Sequence, residues 1–175
     1  MTEPVRVCTG RGTGHGTICC SNADLSQADL ADAMLEGADL TSAVCSMTDF
    51  SGAVLHRVIF CHAKLDSARL LGADLSDAKL NNVIASCADF SRSNLTNVDF
   101  RGADLSDANF RKATTVGCQL IGATLVRTAL LGANLAGTDL SGSDLSDSDL
   151  TGADLSGANL TQCRLDRANI AQAYL

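Results

Sequence analysis

An apolar side chain returns every fifth residue from Leu25 to Leu175, through 31 positions in one unbroken phase. Of these centres 22 are Leu, five are Phe (Phe50, Phe60, Phe90, Phe100, Phe110) and one is Ile170, leaving Cys45, Ala85 and Thr115 as exceptions. Two residues before each centre stands a small side chain, Ala in 20 cases, and the residue between them is Asp in 12 and Asn in five. Neither regular element accommodates this spacing. In an α-helix a step of five leaves successive leucines roughly 140° apart, so they smear around the cylinder instead of forming a stripe. In a straight strand an odd step throws them onto alternate faces. A short extended piece resolves the conflict if its centre and the residue two before it point inward together, and a corner then re-aims the chain. Eleven glycines sit two residues after a centre, where such a corner falls, and Gly tolerates the unusual backbone angles a corner needs. The pattern predicts an all-β chain that coils around its own leucines.

The tandem motif A[DN]Lxx, as in Ala23-Asp24-Leu25 and Ala158-Asn159-Leu160, resembles the pentapeptide-repeat family and covers 153 of the 175 residues. The resemblance implies a right-handed quadrilateral parallel β-helix, one repeat per side and four per coil. Residues 20 apart then stack on adjacent coils at the ~4.8 Å spacing of neighbouring strands, giving about eight coils and a rod ~37 Å long. On this reading residues 1–20 are a lead-in or cap and 21–175 are the β-helix. The core runs through Leu25, Leu30, Leu135 and Leu155 among the leucines, with the five Phe in two opposite columns: Phe50, Phe90 and Phe110 in one, Phe60 and Phe100 in the other. Cys45 and Ala85 share a third column, where truncating Leu typically costs ~2–5 kcal/mol unless neighbours fill the space; the Phe rings are placed to do so. Thr115 brings a hydroxyl that needs a partner if buried. The sole proline, Pro4, precedes the repeats, as a continuous amide ladder requires.

Composition narrows the chemistry. The length suits one domain, and a net charge of -7 with 3% aromatic residues argues against direct nucleic-acid binding by phosphate neutralisation or base stacking. Arg6 and Arg11 interrupt any apolar leader, and no stretch approaches a membrane span, so a soluble cytoplasmic chain with reduced thiols is expected. No cofactor is expected and no enzyme signature is found. Glu36, His56 and Ser76 form one outward row, which would let His56 hydrogen-bond Glu36; the reading adopted is a surface pair. Cys61 and His62 adjoin each other but do not supply the four ligands of a closed zinc site. The stretch from Cys8 to Cys20 holds zinc-type ligands in Cys8, His15, Cys19 and Cys20, yet adjacent cysteines are awkward for one site. Ile18 and Cys20 read instead as an imperfect first repeat.

Charge is the main functional lead. Between Thr128 and Cys163 lie Asp139, Asp144, Asp147, Asp149 and Asp154 and no base, a candidate acidic interaction band. Arg92, Arg101, Arg111 and Lys112 cluster near the Phe-rich coils. The family resemblance implies that some members imitate B-form DNA and bind type II topoisomerases such as DNA gyrase, giving quinolone tolerance. DNA carries about one charge per 1.7 Å, so a rod of this length would need on the order of 20 negative charges. Leu160, Leu165, Ile170 and Leu175 make a final coil with Tyr174 beside it, and a homodimer formed end to end would cover its apolar face and free edge. Two functions follow as expectations: a non-catalytic scaffold with an unidentified protein partner, or a DNA-mimicking topoisomerase binder.

Overall fold

The computed structural model describes residues 18–175, which form a right-handed quadrilateral parallel β-helix without α-helix. Each β contact is a single parallel bridge between residues twenty apart, from Cys19 with Asp39 to Asp154 with Tyr174. Twenty residues therefore make one coil and five make one side. Ile18 and Cys20 already belong to this pattern: the Asp39 amide donates to the Ile18 carbonyl at 2.9 Å, and the Ala23 amide closes a turn onto the Cys20 carbonyl at 3.0 Å.

In a repeat away from the rod's ends with Asp or Asn before its centre, every backbone donor is assigned. In the repeat centred on Leu75, the Ala73 amide closes a turn onto Leu70 O at 3.1 Å, and Asp74 N reaches back one coil to Ala53 O at 3.0 Å. Leu75 N and Asp77 N reach forward one coil, to Asn94 O at 2.8 Å and Thr96 O at 2.9 Å. The fifth amide, that of Ser76, sits on the outside of the corner and donates to the Asp74 carboxylate at 3.1 Å. Buried amides demand partners, and this side-chain cap supplies the one the coils do not. All 12 Asp and all five Asn at the position before a centre accept this bond.

Each corner has a positive φ at its second residue, from Asn22 to Gln172, within 56–71°. The sign pattern is that of a type II turn. Glycine fills 11 of these positions, but 20 hold other residues, among them Met47, His62 and Arg92. The strain at each non-Gly corner, about 1 kcal/mol or more, is offset by the bonds that flank it. Glycine marks the corner position in the sequence without being required there.

Inside, the five Phe follow the three undersized centres. Cys45 shares its coil with Phe50 and Phe60, whose rings meet edge to face with centroids 5.7 Å apart. Ala85 shares its coil with Phe90 and Phe100, also edge to face at 5.7 Å. Thr115 follows Phe110, which stacks on Phe90 at 5.0 Å. Cys45, Ala85 and Thr115 are all buried with the rings. Two rings from opposite columns would overfill a square of four leucines; a small neighbour makes the room. The Thr115 hydroxyl donates to Asn134 O at 2.5 Å, so its burial leaves no orphan donor. Leu25, Leu135 and Leu155 are likewise buried, whereas Leu30 is half-buried near the first described coil.

Candidate protein-interaction surface

With the interior filled by apolar plugs, recognition falls to the outer corners and sides. The acidic residues have two roles there. Asp139, Asp144, Asp149 and Asp154 each cap their own corner, accepting the amides of Ser141, Ser146, Thr151 and Ser156. The hydroxyl and amide of Ser146 hold the Asp144 carboxyl below its usual range, and those of Thr151 do the same for Asp149. These groups are ionised at neutral pH, because the donors of the turn lower a carboxyl that is already acidic.

Stacking also brings bases to the band that lie outside it in sequence. Arg164 is 2.9 Å from Asp144, and Arg167 grips Asp147 through two bonds of 2.6 and 2.7 Å. Arg127 grips Asp107 in the same manner, so Asp107, Arg127, Asp147 and Arg167 form an alternating ladder along one corner. Asp139, Asp149 and Asp154 form no ion pair with a described base. They lie on three different sides. The band is therefore three separated carboxylates with one neutralised side.

A second feature lies directly beside it. The first corner residue is usually Ser, Thr or a charged group, but in four successive repeats it is Val116, Ile121, Val126 and Leu131. One coil thus carries an aliphatic residue on every corner, and three of the four are exposed, at 37–39%. The same position also holds Leu71, exposed to 37%. Sequence reasoning attended to the centres and the acids and missed this ring, although the repeat phase alone displays it.

His56 Nδ1 lies 3.0 Å from Ser76 Oγ, and Ser76 in turn donates to Asp74 at 2.7 Å. The expected bond to Glu36 is replaced by this chain because the Ser76 side of the row offers an acceptor already held in place, with Asp77 also 4.0 Å from His56 Nδ1. Cys61 donates to Asn81 Oδ1 at 3.0 Å. Among the described residues no group of three His, Cys, Asp or Glu side chains is arranged to hold a metal ion. Cys8 and His15 lie outside the described residues. Cys20 is disulfide-bonded, which corrects the expectation that every thiol is reduced, while Cys19, Cys45, Cys61, Cys87, Cys118 and Cys163 are free. Burial pushes the Cys45 and Cys118 thiols up to about 12, so neither is a nucleophile. In the last coil Leu160 is half-buried, and Leu165, Ile170, Tyr174 and Leu175 are exposed to 37%, 47%, 67% and 78%. No helix among the described residues is long and apolar enough to cross a membrane.

Comparison with known proteins agrees with this geometry. Among solved structures, the chain is similar to HetL, a pentapeptide repeat protein involved in heterocyst differentiation regulation from the cyanobacterium Nostoc sp. strain PCC 7120. Identity is 35% and the TM-score 0.73, over 90% of this chain and 72% of that one. Rfr23, a pentapeptide repeat protein from the cyanobacterium Cyanothece 51142, is 28% identical with TM-score 0.51, over 52% of this chain and 63% of that one. Full-length QnrB1, a plasmid-mediated fluoroquinolone resistance protein, shares the fold at 20% identity and TM-score 0.53, over 83% of this chain and 90% of that one. No curated protein matches the chain. The family models described as pentapeptide repeats, in eight copies, and pentapeptide repeat region match residues 18–57, 48–82, 73–111 and 93–175. With a coil of twenty residues built from capped five-residue sides, the chain belongs to the pentapeptide-repeat family.

Proposed function

We propose that this protein is a non-catalytic scaffold whose outer corners bind another protein. The observation that carries the reading is the placement of variation. Inside, deviations from leucine are compensated within the coil, whereas outside, the corner positions change freely between apolar, basic and acidic groups on one unchanged backbone. Such a rod presents chemistry at fixed intervals, which suits recognition along its length. Its similarity to HetL, a protein involved in regulation, supports the same reading. Affinity capture from the native cell extract, competed with excess untagged protein, tests it. A partner released by the competitor is expected, and the absence of any competed protein would overturn the proposal.

A second reading, a DNA-mimicking binder of a type II topoisomerase, draws on Asp139, Asp149 and Asp154, which form no ion pair with a described base, although Arg111 acts on Asp149 from a longer range. Charge density favours the scaffold. A duplex of this length carries on the order of 20 charges, against a net -7 here, with Asp144 and Asp147 already paired to arginines. Supercoiling by purified gyrase, with and without a quinolone, separates the readings. The scaffold reading expects no effect of the protein at large molar excess. Inhibition or protection, abolished by replacing Asp139, Asp149 and Asp154 with Asn, would establish mimicry instead.

A further inference from the structure

One corner of the rod combines unpaired cations with exposed leucines. It follows the centres Leu70, Phe90, Phe110 and Leu130 and presents Leu71, Arg92, Arg111, Lys112 and Leu131. Backbone bonds fix their register: Gly72 N donates to Ser91 O at 3.0 Å, Arg92 N to Arg111 O at 3.0 Å, and Lys112 N to Leu131 O at 3.4 Å. Elsewhere on the described rod five of the eight Lys and Arg side chains are paired, and Arg57, Lys64 and Lys79 stand singly on other sides. Arg69, Arg101, Arg127, Arg164 and Arg167 each lie within 3.0 Å of an aspartate. Arg92, Arg111 and Lys112 are exposed and form no ion pair within 4.0 Å of a described carboxylate, Arg111 acting on Asp149 only from a longer range. The acids on the same side are committed, Asp89 to Ser91 N and Asn109 Nδ2, and Asp149 to Thr151 and Asn169. Gly72 and Gly132 stand beside the two leucines, and nothing lies within 4 Å of where their Cβ atoms would be. The flanks of Leu71 and Leu131 are open to an approaching chain.

The dimensions select the ligand. Leu71 and Leu131 are three coils apart, ~14 Å at the strand spacing of ~4.8 Å. An extended peptide advances ~3.4 Å per residue and turns alternate side chains to one face, so its residues i, i+2 and i+4 span that distance on a single side. We propose that this corner binds an extended acidic peptide segment lying along the rod axis. Its apolar side chains at i and i+4 cover Leu71 and Leu131, and the acidic side chain at i+2 between them meets the cations Arg92, Arg111 and Lys112. A phosphodiester backbone has the charge but nothing apolar for the two leucines. The proposal rests on the scaffold reading and specifies its partner.

Fluorescence anisotropy with a labelled Ser-Leu-Glu-Glu-Glu-Leu-Ser peptide tests it on the full chain. Saturable binding is expected, weakened about tenfold or more by Arg111→Glu with Lys112→Glu and weakened also by Leu131→Ser and by added salt. The Arg127→Ser variant, altered on a different corner, should bind as the unaltered protein does. Arg111→Gln with Lys112→Gln provides a milder pair, and far-ultraviolet circular dichroism checks the fold of each variant. Absence of saturable binding, or binding indifferent to the Arg111 and Lys112 changes, overturns the proposal. So does equal binding of a peptide with its two leucines adjacent, or displacement of the peptide by a duplex oligonucleotide or by anionic vesicles of phosphatidylserine and phosphatidylcholine. If the peptide fails while affinity capture still returns a competed partner, the corner assignment falls and the scaffold stands.

Discussion

The coils between Cys45 and Thr115 and those between Leu120 and Leu155 share one backbone and solve packing differently. In the first stretch the centres range from Ala to Phe, and every undersized centre shares its coil with one or two rings. In the second every centre is Leu, and the departures are confined to the smaller inward position, where Thr128, Thr138, Ser143 and Ser148 are buried, as Thr48 and Ser93 are in the first. Thr128 and Thr138 return their hydroxyls to the carbonyls of Leu125 and Thr115 at 2.7 and 2.9 Å. The difference teaches that the coil is the unit whose volume is conserved. A position within it is free to change when another changes with it.

The largest expected effect comes from removing a ring where two meet. Phe100→Ala should destabilise by about 3–5 kcal/mol, because the ring contacts both Phe90 and Phe110 and Ala85 leaves nothing nearby to collapse into the void. A solenoid is stabilised mainly through nearest-neighbour coils, so calorimetry should resolve separate transitions for the parts on either side. A loss below 1 kcal/mol would show that the rings are not filling space left by the small centres.

Next in size is the reverse error. Cys45→Leu adds volume to a coil already holding two rings and should cost about 1–3 kcal/mol. Adding Phe50→Leu and Phe60→Leu converts the coil to the all-leucine arrangement of residues 120–155 and should recover stability to within about 1.5 kcal/mol of the unaltered protein. Urea titrations of the single and triple variants decide this. A triple variant less stable than Cys45→Leu alone would show that volume is set position by position, erasing the distinction between the two stretches.

Much of this architecture was legible in the sequence because the inward positions repeat without a break. Phase, core and the share of Phe between two columns all follow from counting fives, once a coil of four repeats is supplied by resemblance. What escaped counting was any contact between residues twenty apart on the outside. Arg164 and Arg167 lie beyond the acidic band in sequence and beside Asp144 and Asp147 in space. The role of Asp before each centre was hidden too, since a carboxylate capping its own corner and one merely facing water have the same one-letter code. Glycine misled in the other direction, marking 11 corners and leaving 20 equally left-handed ones unannounced.

A smaller effect should appear with acid. Hydrogen bonds or ion pairs hold the carboxyls of Asp139, Asp144, Asp147, Asp149 and Asp154 below their usual range, and in the middle coils do the same for Asp99 and Asp107. A depressed folded pKa contributes stability that is complete above the unfolded value near 3.9 and is lost as pH falls through the lower folded value. The melting temperature should therefore be insensitive to carboxylate protonation between pH 7 and about 5 and decline below about 4. Hydrogen exchange should show the coils of residues 139–154 loosening before the Phe-rich ones. Asp149→Asn keeps the cap, as natural Asn does at five equivalent positions, and should reduce the acid sensitivity without disturbing the fold at pH 7. Uniform loosening along the rod would mean that the caps are not the acid-sensitive element.

The smallest effect is expected at the ladder of Asp147 and Arg167. Its geometry is bidentate, with bonds of 2.6 and 2.7 Å, yet the Arg167 side chain is 76% exposed, and solvent and salt screen such a pair while ordering a long side chain opposes it. Corners without any ion pair, such as those at Ser42 and Gln162, adopt the same left-handed angle, 56° and 57°. The backbone therefore does not depend on the pair. Replacing Asp147, Arg167 or both with Ser should leave the melting temperature within experimental scatter, with no coupling between the two sites in a double-mutant cycle. A coupling that shifted melting by several degrees would mean that the charged corners, and not the amide ladder behind them, hold neighbouring coils together.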